Sequence, residues 1–198
     1  MDTQQLIQKV LSNIFIPLEA SGRHAHITEA QAQVLFGHKL TEQRPLSQPG
    51  QFLANERVTV IGPKGEFRNV AVLGPERGQA QVEISLTDGK TLGIRPPVRL
   101  SGDVQDSPGV MLEGPMGRIT LQTGVICARR HIHMTPEDAE KFGLRDGDAV
   151  RLQTYTQRPV RFDGTVVRVS PKFATYAHLD YDEANACGFA PGDLGRPV

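Results

Sequence analysis

Arg130-His-Ile-His133-Met-Thr135-Pro-Glu-Asp-Ala-Glu-Lys-Phe-Gly143-Leu-Arg-Asp-Gly-Asp-Ala-Val-Arg-Leu152 holds a strand, a short helix, a glycine turn and a second strand in one stretch. Thr135 offers a hydroxyl cap, Pro136 suits the first helical position, and acids favour the positive helix end. Gly143 takes the left-handed stop. The stretch is not unique. Leu92-Gly-Ile-Arg-Pro-Pro-Val-Arg-Leu100 lines up with its second half, two residues shorter. The core phrase recurs as His26-Ile-Thr28…Gly37, Glu83-Ile-Ser85…Gly93 and His178-Leu-Asp180…Gly188. In each copy a helix-capping residue lies two positions after a metal-ligating residue type. Five of the six histidines fall inside this phrase, and only His38, read as a surface residue, falls outside. A strand–helix–turn–strand unit that repeats cannot bury its own apolar face, so the repetition predicts a mainly β chain of two small related β-barrels with short capping helices.

Outward from these phrases, β-branched runs predict strands at Arg57–Ile61, Val70–Leu73, Gln81–Ile84, Val98–Leu100, Gly124–Cys127, Ala149–Leu152 and 160–169. Gly62-Pro-Lys-Gly65 and Gly114-Pro-Met-Gly117 read as matching tight turns closing equivalent hairpins. Ser101–Pro108 reads as a linker. The first and fourth phrases sit at opposite ends of the body, so terminal segments are expected to meet in one barrel. Residues 2–15 stand apart, with Leu6, Ile7, Val10, Leu11, Ile14 and Phe15 at helical spacing. That amphipathic helix either packs on the body or docks on another protein.

Composition excludes several classes. The 22 basic and 22 acidic residues balance, so no field draws the chain to nucleic acid or a membrane surface. Tryptophan is absent and aromatics make up 6%, which leaves few platforms for stacked bases. No apolar run approaches the roughly 18 residues of a spanning helix. The N-terminus lacks a cationic start followed by an apolar core, so a cytoplasmic chain is expected. Cys127 and Cys187 have no Cys-x-x-Cys spacing and read as free thiols.

The histidines carry the chemistry. Residues two apart on a strand point the same way, so His24 with His26, and His131 with His133, present paired imidazoles. One His-x-His pair is more often incidental than functional. The same pair twice, each preceded by arginine and followed by a cap, points to metal. Glu83 and His178 occupy the equivalent slot and join the candidate ligands. Five imidazoles and one carboxylate exceed a single tetrahedral site and fit two ions with open positions, a catalytic arrangement. Imidazole also suits copper, iron and nickel, so zinc is an inference. Arg23 and Arg130 are one residue out of phase and are expected to face away from the metal. Arg77, just before the Glu83 strand, offers a guanidinium to an anion. Cys127 lacks an evident activating base and reads as a buried thiol.

Ser21-Gly-Arg-His24-Ala-His26, Leu46-Ser-Gln-Pro-Gly-Gln51, Val60-Ile-Gly-Pro-Lys-Gly65, Val72-Leu-Gly-Pro75, Gln81-Val-Glu-Ile-Ser85, Leu100-Ser-Gly102, Ala128-Arg-Arg-His131-Ile-His-Met134 and Asp182-Glu-Ala-Asn-Ala186 resemble the PduL-type phosphate propanoyltransferases. The resemblance covers residues 16–190. It implies two β-barrels, with 16–20 and 129–198 forming one, 21–128 and connecting segments the other, and 1–15 an N-terminal helix or encapsulation peptide. It implies a di-zinc phosphotransacylase that interconverts a short-chain acyl-CoA, propanoyl or acetyl, and phosphate with acyl phosphate and CoA. By motif, His24, His26 and Glu83 would hold one zinc, and His131, His133 and His178 the other. Arg77 would bind phosphate, while Ser21, Leu73 and Asn185 would line the CoA site. The resemblance implies a homodimer and, since many members carry a peptide similar to residues 2–15, entry into a bacterial microcompartment such as that of propanediol degradation. Partners would then be shell or cargo proteins. Gly22 departs from a usual asparagine, Ala25 from a larger branched residue, and Tyr176-Ala177-His178-Leu-Asp180 from Glu-Met-His-Ile-Asp. The expected mechanism is direct attack of phosphate on the thioester, without an acyl-cysteine. The alternatives are a di-zinc thioester or phosphoester hydrolase and a non-enzymatic, metal-stabilised microcompartment cargo protein.

Overall fold

The computed structural model describes residues 2–198, so Met1 of the expected N-terminal segment lies outside it. The chain begins with α1 (Thr3–Ser12), β1 (Ile16–Ser21), β2 (His24–His26), α2 (Glu29–Phe36), β3 (Glu42–Pro45), β4 (Phe52–Ile61) and β5 (Glu66–Gly74). β6 (Gln81–Glu83), α3 (Leu86–Leu92), β7 (Val98–Arg99), β8 (Val110–Glu113), β9 (Arg118–Leu121) and β10 (Val125–Ala128) follow. β11 (His131–Met134), α4 (Pro136–Phe142), β12 (Ala149–Tyr155), β13 (Arg161–Val169), β14 (Tyr176–Asp180), α5 (Tyr181–Cys187) and β15 (Leu194–Pro197) complete it. The chain is mainly β, as its strand-rich patterning predicts.

It divides into two compact units. The first comprises residues 2–21, Arg129–Leu179 and Glu183–Val198. Its strands close into a barrel in the order β1-β14-β11-β13-β12-β15. Chain ends meet in the closure, where β1 pairs antiparallel with β15, Ile16 opposite Gly195. Alternation on β11 serves both faces. Ile132 and Met134 join Ile16, Leu18, Leu152 and Leu179 in the core, while His131 and His133 take the opposite parity. Gly195 has no side chain because a Cβ there would lie 2.7 Å from Leu18 and 2.9 Å from Leu152.

The second unit comprises Gly22–Ala128 and Asp180–Asp182. Its sheet runs β7-β10-β6-β2-β5-β4-β8-β9, with β3 pairing β4, and forms a half-barrel that does not close among the described residues. Leu35, Val58, Val60, Val72, Val82, Leu92 and Leu112 fill its core. Edge strand β7 shows why the aligned repeats diverge. Pro96 and Pro97, which lack amide protons, shorten it to two residues, whereas the corresponding β12 runs for seven. Ser101–Pro108, expected as a linker, lies inside this unit. Ser107 Oγ donates to Val104 O and accepts from Gly124 N, so its polar composition serves a turn network.

The Gly-Pro-x-Gly turns do close equivalent hairpins, β4–β5 and β8–β9. Each turn also caps a helix. Lys64 N donates to Leu92 O at the end of α3, and Met116 N to Leu35 O near the end of α2. The four repeated phrases fold alike. Thr28, Ser85 and Thr135 cap α2, α3 and α4, and Gly37, Gly93, Gly143 and Gly188 all have positive φ.

Candidate metal centre

Six buried side chains gather into two triads, His24–His26–Glu83 in the second unit and His131–His133–His178 in the first. Within each triad the candidate ligand atoms all lie within 4.8 Å of one another. The same strand arrangement builds both. β2 lies antiparallel to β6 with His24 opposite Glu83, and β11 lies antiparallel to β14 with His131 opposite His178. Each His-x-His strand has a parallel neighbour on its other side, β5 for β2 and β13 for β11. Directly paired residues bring their Cβ atoms within about 5 Å. The third ligand therefore faces the first imidazole, while the second imidazole, two residues on, shares the face.

Hydrogen bonds select the ring nitrogen. The Nδ1–H of His24 donates to Gly22 O at 2.8 Å, and that of His131 to Arg129 O at 2.8 Å, each a carbonyl two residues upstream. His26 donates through Nδ1 to Leu73 O at 3.2 Å. His178 Nδ1 lies 3.4 Å from Glu19 Oε2. In the tautomer these contacts require, Nε2 keeps its lone pair, as in metal-ligating histidines oriented from behind by carbonyls and carboxylates. The donor set fits a divalent cation of the zinc type in each triad.

The charges agree. Burial opposes ionisation of His24, but Glu83, with Oε2 3.6 Å from Nε2, outweighs it and raises the His24 pKa. Burial, His24 and Arg77 push His26 down to about 2, so it is neutral at ordinary pH. Burial likewise opposes the Glu83 charge, yet His24 and its other partners hold its pKa far below the usual carboxylate value.

Arg77 is half-buried beside this triad. Its Nη1 donates to Ser101 Oγ at 3.4 Å. Gln81 Nε2 donates to that same oxygen at 2.8 Å and to Glu83 Oε1 at 2.6 Å, and Gly102 N donates to Gln81 Oε1 at 2.7 Å. Gln81 and Ser101 thus link the arginine to the carboxylate. The sequence reading assigned them no role. Gln81 shares strand parity with Glu83, a signal that could have found it; Ser101 lies 20 residues from Gln81 and gives none. Glu19, behind His178, also went unread.

The other expected positions fall as follows. Leu73 is in β5, its carbonyl on His26. Ser21 ends β1, and Asn185 is exposed on α5. His38 is exposed, with Nδ1 2.7 Å from Lys39 O. Both cysteines are buried free thiols. Cys127 donates to Asp180 Oδ2 at 3.1 Å, and burial raises the pKa of Cys187.

The family model for phosphate propanoyltransferases matches residues 17–190, a span that includes both triads and Arg77. The chain belongs to the phosphate propanoyltransferase family. A phosphate propanoyltransferase of Enterococcus faecalis is 52% identical over 191 residues, covering 96% of this chain and 90% of the relative. Those of Clostridioides difficile and Thermotoga maritima are each 48% identical, over 197 and 177 residues. The first pairs 98% of this chain with 94% of the relative, the second 88% with 84%. Membership in the phosphate propanoyltransferase family makes this chain an acyltransferase.

Proposed function

We propose that the chain interconverts a short-chain acyl-CoA, propanoyl or acetyl, and phosphate with an acyl phosphate and CoA, with one zinc ion held by each triad. The observation that carries this reading is the Arg77 guanidinium hydrogen-bonded into the network of a buried, oriented ligand triad. A thioester hydrolase needs no fixed anion site beside its metal ligands, whereas a phosphotransacylase must hold phosphate as nucleophile.

His24, His26 and Glu83 would hold one ion, and His131, His133 and His178 the other. Bound zinc supplies Lewis acidity for the developing oxyanion and a soft partner for CoA sulfur. Arg77 binds phosphate in fork geometry and fixes the attacking oxygen. Ser101 and Gln81 keep that guanidinium and the Glu83 carboxylate in register. Ser21, Leu73 and Asn185 are assigned to CoA. Phosphate attacks the thioester carbon, the tetrahedral adduct collapses, and the sulfur leaves as thiolate. Neither cysteine takes the acyl group; both are buried, and Cys127 already donates to Asp180.

Residues 2–15 are assigned to docking within a bacterial microcompartment. α1 is capped by an Asp2–Gln5 capping box, and Leu6, Ile7 and Val10 are each about half exposed. An apolar face left open supports a partner. No helix among the described residues is long and apolar enough to cross a membrane.

The test is phosphate-dependent CoA release from propanoyl-CoA by metal-replete protein, with the acyl product identified. Acyl phosphate formation, with an Arg77→Ala variant that saturates poorly with phosphate, is the expected result. Free acid at every phosphate concentration would replace the transferase with a hydrolase.

A further inference from the structure

Arg23 and Arg130 each precede a His-x-His pair, and both side chains leave the ligand face. Arg23 donates to Asp88 through two bonds, Nε to Oδ2 at 3.1 Å and Nη2 to Oδ1 at 2.7 Å. Asp88 stands five residues after the third ligand of its triad, Glu83. Arg130 Nη1 donates to Glu183 Oε1 at 2.6 Å. Glu183 stands five residues after the third ligand of the other triad, His178. The correspondence goes further. The Arg23 guanidinium lies 4.3 Å from the ring centroid of Phe67 on β5, the parallel neighbour of β2, which begins at the next residue. Arg130 lies 5.8 Å from that of Phe162 on β13, the parallel neighbour of β11. Each arginine therefore meets an aromatic ring on one neighbouring strand and an acid just beyond the other.

We propose that Arg23–Asp88 and Arg130–Glu183 are duplicated positioning pairs, each fixing the first imidazole of its triad against the third ligand. The inference rests on the reading of the two triads as cation sites. The ladders need such help because they are short. β2 and β6 have three residues each, and three pairs leave room for twist and slippage. The pair ties the residue before β2 to α3, the helix that follows β6. In the second unit the pinning reaches the ligand strand directly. Asp88 Oδ2 also accepts from Ser85 N at 3.3 Å, and Ser85 Oγ accepts from Asp88 N at 3.1 Å, two residues past Glu83. In the first unit Arg130 adds bonds to the carbonyl of Asp163 on β13, so it binds three elements of the triad's scaffold. A planar, forked guanidinium sets direction as well as distance, which an ammonium cannot. Each pair is partly buried, with side-chain exposures of 35% and 7% for Arg23 and Asp88, and 31% and 16% for Arg130 and Glu183.

The test uses the full-length chain, stripped of metal and reloaded with Co²⁺ or Zn²⁺, in wild type, Arg23→Lys and Arg130→Lys forms. Lysine keeps the charge and the stem; Asp88→Asn and Glu183→Gln remove the acceptor charge from the other side. Ion affinities come from chelator competition, and cobalt absorption separates the two-imidazole carboxylate site from the three-imidazole site. Each arginine variant is expected to weaken one ion about 10–100-fold and to alter one cobalt signature, the His24–His26–Glu83 site for Arg23 and the other for Arg130. The acid variants should give the same site-selective pattern. Wild-type affinity and spectra in both arginine variants would overturn the proposal. So would equal weakening of both ions in step with a fall in the unfolding temperature of the metal-free protein, since that is loss of fold and not of position. A wild-type chain that binds no ion at either triad would instead remove the underlying reading, and the pairs' role with it.

Discussion

Gln81 shows how much one neutral side chain can set at a charged centre. Its amide nitrogen donates to Glu83 Oε1 and Ser101 Oγ, which leaves Oε2 as the oxygen facing His24. Replacing it with methionine keeps the volume and removes the donor. Gln81→Met is expected to weaken one of two bound cations by about tenfold, in the range typical of lost outer-sphere contacts, without abolishing it. Chelator competition reads this directly, and full affinity in the variant would show that Glu83 is oriented by other means. The cysteines give the opposite expectation. Cys127→Ala and Cys187→Ala should both retain phosphate-dependent turnover, and an acyl group trapped on either thiol in the wild type would contradict direct transfer. At this scale the ligands were legible because a period of two is local. His24 and His26 declare a shared face in three letters, and duplication as His131 and His133 raises that above coincidence. Ser101 was not legible, because only the folded sheet brings it to Gln81 and Arg77.

The short helices depend on both ends being stopped. Gly114 packs so closely on the end of α2 that a Cβ would lie 2.4 Å from the Leu35 carbonyl oxygen; Gly62 does the same to Leu92 on α3. Gly114→Ala must push a turn off a helix it caps, so it should destabilise the chain by about 1–3 kcal/mol, the usual cost of overpacking. Denaturant titration measures this, and a change within 0.5 kcal/mol, the ordinary range for a surface substitution, would mean the turn moves freely. At α4, Asp138 accepts from Thr175 Oγ1 and from Lys141 Nζ at 2.9 Å. Burial opposes its charge, but these partners prevail and lower its pKa. A depressed carboxylate stabilises the fold above its unfolded pKa, about 3.9, and loses that contribution as pH falls through the folded value. Asp138→Asn should therefore cost about 1 kcal/mol at pH 7 and progressively less below pH ~4. An equal cost at both pH values would remove the charge from the explanation. Cap and stop residues made these helices readable, since Thr135-Pro136 and Gly143 act on their own neighbours. Strand β3 was missed because Glu42–Pro45 is exposed throughout and shows no alternation.

Two triads built by one strand arrangement, in two units of different closure, define the molecule as a whole. The mainly β class was readable from the repeated phrases. The meeting of the chain ends in one barrel was expected too, whereas the half-barrel of the second unit was not, because the phrases repeat in both units and carry no signal of whether the end strands β7 and β9 pair. Two sites formed only in the folded chain should couple metal to stability. Removal of metal by chelator is expected to lower the unfolding temperature and abolish acyl transfer, with zinc restoring both. Each ion present at 100 times its dissociation constant adds about 2.7 kcal/mol. An unchanged melting curve after verified removal would detach the triads from the fold's energetics. The decisive measurement is anomalous diffraction at the zinc edge from crystals of protein prepared without chelator. The triads predict two peaks per chain, one about 2.0–2.2 Å from His24, His26 and Glu83 ligand atoms and one at the same distance from those of His131, His133 and His178. Well-ordered triads with no anomalous density at either position would contradict the account.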